Sequence, residues 1–218
     1  MSGVRFDDLF AAFVRIPGAV GRYFADRKHR KWMRKAPTFR VRDMPENMFA
    51  KIVGHVRPFR DRAIEAPLSK RLCVYYDVSI DAMVGNSMLR TLATVQDGIP
   101  FVLRDDSGAA VIDPAHAFVS SGIDAMSESR PLEADAAQRE LLVRTGLAGR
   151  TPAMLDSLRF REAVLELDEM VAVFGGGIRE PDPEGVATMT YRDGAPTRLH
   201  LTGTAKFPLF ISDDPRSF

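Results

Sequence analysis

From Met48 onward the chain is a succession of short runs rich in β-branched and aromatic residues, each closed by a turn signal. This pattern restricts the fold to a mostly β one. MFAKIVGHVR, KRLCVYYDVSI, MLRTLATVQDG, LRFREAVLEL, MVAVFGGG, TRLHLTG and FPLFIS all read as strands. Between Phe101–Leu103 and Ala110–Ile112 stands the tetrapeptide Asp105-Asp106-Ser107-Gly108, which predicts a hairpin turn. Asp and Ser side chains cap turn amides there, and Gly108 is expected to supply a positive φ. Asp168-Glu169 and Asp193-Gly194 predict two further turns. After the second of these, Leu199 and Leu201 face one way and Arg198, His200 and Thr202 the other. Leu132 to Leu147 breaks the pattern with a helix carrying Ala136, Leu141 and Leu142 as its apolar stripe and Gly146 and Gly149 as its stop. The predicted fold class is mostly β (α+β). It is a small β-barrel or sandwich-like domain with a helical insertion at about 132–147 and an N-terminal helical arm.

The arm differs in kind. Phe6, Leu9, Phe10, Phe13 and Val14 recur at helical spacing and form one apolar face, which Pro17-Gly18 interrupts. Val20, Tyr23 and Phe24 follow, then RKHRKWMRK from Arg27 to Lys35. Residues 38–47 are polar and read as a linker. Charge is divided accordingly. Residues 1–42 hold 11 Lys and Arg against 3 Asp and Glu, a net of +8; the remainder holds 19 against 26, a net of −7. A basic arm on an acidic body meets something anionic: lipid, nucleic acid or the body itself.

Several chemistries are excluded or disfavoured. One cysteine, Cys73, forbids an intramolecular disulfide and a Cys-rich zinc module, and fits a reducing compartment. Asp7, Asp8, Arg15 and Pro17 spoil the N-terminus as a secretory signal, and no stretch reaches the roughly 18–20 apolar residues of a membrane span. An EF-hand loop counted from Asp105 would place Ala110 at the glycine position and His116 at the glutamate position, so the pattern fails. FGGGIREPDPEG lacks the third fingerprint glycine of a dinucleotide loop, and Pro181 and Pro183 oppose the helix that should follow; it reads as a glycine turn leaving a strand. Cys73 sits among Leu72, Val74 and Tyr75 and reads as packing. Glu162 and Glu166 would lie about 13 Å apart on one strand face, too far for an acid–base pair, and are expected to be solvated. The histidines show no metal spacing. No cofactor and no metal are expected.

Four blocks, in order, resemble the GIDE domain: EAPLSKRLCVYYDV (Glu65–Val78), IPFVLRDDSGAAVIDPAHA (Ile99–Ala117), RFREAVLELDEMVAVFGGG (Arg159–Gly177) and FPLFISDD (Phe207–Asp214). This domain belongs to a mitochondrial E3 ubiquitin ligase family with many prokaryotic relatives, and it lies beside a membrane. The resemblance spans roughly residues 48–214 and implies that the run around Asp105 is a fold signature rather than a metal loop. The eukaryotic ligases add transmembrane helices and a RING, whose zinc sites need more Cys and His than the 1 Cys and 4 His of this chain. Ligase activity is therefore not carried over. The kinked N-terminal helix stands where the first transmembrane helix would be, as a peripheral anchor.

The expected organisation is an arm and linker over 1–44 and a GIDE-like β domain over 45–218. The expected function is a non-catalytic interaction module at a membrane surface or in a membrane-associated complex. It would be cytoplasmic, with a peripheral seat on the inner face of the membrane. Its binding residues are Phe6, Phe10, Phe13 and Trp32 for burial, and Arg27, Lys28, Arg30, Lys31, Arg34 and Lys35 for attraction to anionic lipid or to a protein partner. Two alternatives remain open. One is a nucleic-acid-binding β domain with the arm as clamp; the other is an enzyme with a site the sequence does not reveal.

Overall fold

The computed structural model describes residues 33–84, 88–130, 133–148, 157–183 and 196–218. The hairpin turn expected at Asp193-Gly194 lies outside them, as do the arm residues Phe6, Phe10, Phe13, Arg27, Lys28, Arg30, Lys31 and Trp32. In chain order the strands are β1 (Thr38–Phe39), β2 (Ala50–Pro58), β3 (Ile64–Glu65), β4 (Leu72–Val84), β5 (Met88–Gly98), β6 (Phe101–Arg104) and β7 (Ala109–Asp113). Then come β8 (Ala117–Ser120), β9 (Ala125–Ser129), helix α1 (Ala136–Arg144), β10 (Leu158–Glu166), β11 (Met170–Gly175), β12 (Gly177–Pro181), β13 (Thr197–Thr202) and β14 (Leu209–Ser212). The fold is mostly β, as the strand runs predict.

Nine strands make a curled sheet in the order β12-β13-β7-β6-β2-β11-β14-β8, with β1 added in parallel to β2. Its concave side holds the main core, where Ile52, Phe101, Leu103, Ile112, Leu199 and Leu201 are fully buried. Each such side chain contributes about 1.5–3 kcal/mol. Close approach of backbones across this curve needs glycine. A Cβ on Gly54 would stand 2.5 Å from the Arg104 carbonyl oxygen, and one on Gly203 would stand 2.5 Å from that of His116.

The second sheet runs β3-β4-β10-β9, with β5 also paired to β4. One of its faces carries Val78, Ile80, Phe160 and Val164, covered by Leu141 and Leu142 of α1. A capping box starts the helix: Asp135 accepts from the Gln138 N–H (2.8 Å), and Gln138 accepts from the Asp135 N–H (3.0 Å). Gly146, at φ +68°, closes it as the sequence predicts. Ala136 is exposed; Ala134 and Gln138 take the buried places beside Leu141 and Leu142.

Two local expectations are corrected. Positive φ on a glycine is found at Gly146 and not at Gly108, because the Asp105 carboxylate, rather than a left-handed residue, closes the hairpin tip. The polar stretch 38–47 is not a loose linker. Thr38–Phe39 pairs with β2, and Val41 and Met44 enter the main core at 2% and 1% exposure. Val41 and Met44 sink and Phe39 packs half-buried beside them, while Arg40, Arg42 and Asp43 stay out.

Candidate functional site

Asp105, Cys73 and Glu162 each have a structural place in the fold. Asp105 Oδ1 accepts from the Ser107 N–H (2.8 Å), the Ser107 hydroxyl (2.7 Å) and the Gly108 N–H (2.8 Å), while Oδ2 accepts from the Val41 N–H (2.9 Å). Partial burial acts to raise the Asp105 pKa, but these four donors outweigh it and hold the carboxyl below its ordinary value. Asp106 makes only an exposed ion pair with Arg40 at 3.6 Å. The predicted hairpin pairs Phe101 with Ile112 and Arg104 with Ala109, so the two aspartates form a turn. Cys73 is wholly buried, and burial together with the nearby Glu162 charge pushes its thiol up to about 12.

Glu162 overturns the expectation of a solvated face. It is 0% exposed, and its carboxylate accepts from the Leu68 N–H (2.7 Å) and the Ser69 N–H (2.8 Å). It therefore fixes the turn that joins β3 to β4. Among the described residues no group of His, Cys, Asp and Glu is placed to hold a metal. His55 Nδ1 lies 2.9 Å from the Asp168 carbonyl oxygen and His200 Nδ1 3.3 Å from Glu180. Around FGGG, β11 ends at Gly175 and β12 begins at Gly177, a glycine junction between strands as expected. A Cβ on Gly175 would collide with Leu209.

The structure assembles something else from the same pieces: a mount for the start of the chain. The tip of the β6–β7 hairpin receives the Val41 N–H on Asp105 and the Arg42 N–H on Ser107 (3.1 Å). Arg179, on β12, donates through Nη2 to the carbonyls of Arg42 (2.6 Å), Val41 (3.2 Å) and Met44 (3.4 Å). The Lys51 N–H donates to the Pro37 carbonyl (2.9 Å), and the Asn47 N–H to the Gly177 carbonyl (3.1 Å). Residues 37–47 are thus a strap held along their length. Just before the strap, Met33–Lys35 are helical. Met33 is buried at 3% against Ala172 and Phe210, while Arg34 and Lys35 are exposed.

Met33 lands on the convex face of the nine-stranded sheet. Strand register aligns Lys51, Phe174, Phe210 and Phe118 across β2, β11, β14 and β8. Ring centroids follow at 5.9 Å (Phe207–Phe49), 6.2 Å (Phe49–Phe174), 6.1 Å (Phe174–Phe210) and 6.1 Å (Phe210–Phe118). Tilted pairs at this spacing add roughly 0.5–1.5 kcal/mol each beyond burial. Lys51, 2% exposed, donates to the Ser217 carbonyl at 2.6 Å beneath the C-terminal turn Pro215–Ser217, and burial lowers its pKa.

The other face of the second sheet borders a cleft of about 440 Å³, closed opposite by residues 117–121 of β8 and its exit. Polar side chains of its wall pair with one another and with Asp81, which lies behind the wall. Gln96 donates to Asp77 (2.5 Å), Thr91 to Asp81 (2.6 Å) and Arg161 to Asp81 (2.7 Å), the last acceptor being 1% exposed. The signal was present in the strict alternation of YYDVSID, which sends Asp77, Ser79 and Asp81 to one face.

Compared with protein-family models, curated proteins and solved structures, the chain matches none. No helix among the described residues is long and apolar enough to cross a membrane.

Proposed function

We propose that this protein is a non-catalytic interaction module whose β body holds a basic, aromatic N-terminal arm against an anionic membrane surface or within a membrane-associated complex. One observation carries the reading: the strap. Its anchoring fixes the base of the arm, with Met33 turned inward and Arg34 and Lys35 turned outward. Arg27, Lys28, Arg30 and Lys31 extend that charge, and Phe6, Phe10, Phe13 and Trp32 supply the apolar residues an interfacial helix buries. The structural employment of Asp105, Cys73 and Glu162 supports the non-catalytic part. The four ordered sequence blocks support a GIDE-like domain without its ligase function. A cytoplasmic chain seated peripherally on the inner leaflet fits this proposal.

The test is flotation of the full chain with neutral and with anionic vesicles. Its comparison is a full-length variant with Arg27, Lys28, Arg30 and Lys31 replaced by Gln. A truncation at Pro45 is unsuitable, since it would strip Val41 and Met44 from the core. Wild type should float with anionic vesicles only, lose binding as salt rises, and lose it in the variant. Wild type that stays unbound, or that binds neutral and anionic vesicles alike, rejects the proposal.

A further inference from the structure

The second sheet is apolar where α1 roofs it and polar on its reverse. Alternation along β4 and β10 turns Val78 and Phe160 to the helix and Ser79 and Arg161 to the cleft. Strand register sets Arg161 directly across from Ser79. Behind them Asp81, 1% exposed, accepts from Arg161 Nε (2.7 Å) and from the Thr91 hydroxyl (2.6 Å). Burying a carboxylate is unfavourable unless it is paired, and here the pairing holds one guanidinium in one orientation. Arg161 itself is 34% exposed and lines the cleft. Among the described residues its Nη1 and Nη2 donate to no protein atom, and the hydroxyls of Ser79 and Ser121, which also line the cleft, make no hydrogen bond. Gln96 gives its Nε2 to Asp77, which leaves Oε1 as an acceptor.

We infer that this cleft binds a small hydroxylated carboxylate, such as a hydroxy acid or a sugar acid, with Arg161 as its anchor. With Nε tied to Asp81, Nη1 and Nη2 offer the pair of N–H donors that matches two carboxylate oxygens. Ser79, beside Arg161, and Ser121, on the opposite wall, can each donate to and accept from a hydroxyl, and Gln96 Oε1 can accept from one. Val119, Ile123 and Ala163 supply apolar wall for a carbon skeleton. The volume of about 440 Å³ is that of a small-molecule site. A wholly apolar ligand would leave the guanidinium donors unpaired, and a simple cation would meet Arg161 as a like charge.

Binding to the full chain tests this, read by saturation-transfer NMR and by the shift in Tm. The probes are D-gluconate, D-glucuronate, L-tartrate, acetate and D-glucose at one ionic strength. The three hydroxylated acids should bind and raise Tm with concentration, and acetate and glucose should do so several-fold more weakly. No binding by any of the acids, or equal binding by all five probes, overturns the inference. Removing Arg161 alone would leave Asp81 buried without its charge partner, so the variant is Arg161→Gln combined with Asp81→Asn. It should bind the acids about tenfold more weakly. Arg159→Gln is its control: Arg159 stands two residues along β10, pairs with Glu128 and does not line the cleft, so binding should be unchanged. Equal losses in the two variants would reduce the effect to general surface charge and overturn the site. Ser79→Leu gives a second reading that leaves the ion pair intact. At its half-buried position the leucine fills the cleft and should weaken binding about as much, and unchanged affinity there also overturns the site.

Discussion

Two apolar faces lie outside the main core, and they are served differently. The face of the second sheet carries Val78, Ile80, Phe160 and Val164 and is roofed by α1, an insertion local to that sheet. The convex face of the nine-stranded sheet carries Phe174, Phe210 and Phe118 and receives Met33, from the far beginning of the chain. The first cover is tied at both ends to strands of its own sheet, β9 and β10. Met33 is held on its C-terminal side by the strap, through the hairpin tip and Arg179.

The comparison is sharpened first by truncating each face. Phe210→Ala should cost about 3–5 kcal/mol and Leu141→Ala about 2–4 kcal/mol, measured by denaturant unfolding. Costs of similar size would mean that both faces count as core; a negligible cost at Phe210 would mean that the convex face is mere surface. Next comes the strap. Asp105→Ala leaves the Val41 N–H and the hairpin amides unsatisfied and should cost roughly 2–4 kcal/mol. Since its pKa is depressed in the folded state, the stability Asp105 contributes is present above its unfolded pKa and lost as pH falls through the folded one.

Where the sheets join, the sign is opposite. Glu169, in the turn from β10 to β11, is half-buried. Burial pushes it up to about 7, aided by the charges of Asp213, Asp124 and Glu166 and opposed by the Glu166 N–H that it accepts at 2.9 Å. A raised carboxyl favours the folded state while it is protonated, so stability should fall as pH rises from about 4.5 to about 7 and then level off. Allowing for solvent screening, Glu169→Gln should recover roughly 1–2 kcal/mol at pH 8 and little at pH 5. Equal effects at both pH values would remove Glu169 as the titrating group. Smallest in stability are Arg34→Gln and Lys35→Gln, expected within about 0.5 kcal/mol of wild type. Each should weaken binding to anionic vesicles about fivefold.

Much of this was legible in sequence. The strand runs from Ala50 onward, the hairpin tip at Asp105 and the stop at Gly146 follow from propensity and turn chemistry, which are local. What local reasoning missed depends on distant partners. Glu162 reads as a solvated strand residue until the amides of Leu68 and Ser69 are brought to it. Val41 and Met44 hide in a polar stretch because the hairpin tip and Arg179 that hold them lie more than sixty residues away. The aromatic row joins Phe49, Phe118, Phe174, Phe207 and Phe210, and only register reveals it. Most of the residues expected to bind, from Phe6 to Trp32, lie outside the described residues; Arg34 and Lys35 lie within them and are exposed.

The central claim is that a fixed β body holds a basic arm for use at an anionic surface. Equilibrium binding of the full chain to vesicles, measured as the anionic lipid fraction and the salt concentration are varied together, tests it most directly. The account predicts affinity that climbs with anionic fraction and collapses at high salt. Affinity indifferent to both, or no binding at any composition, would contradict it.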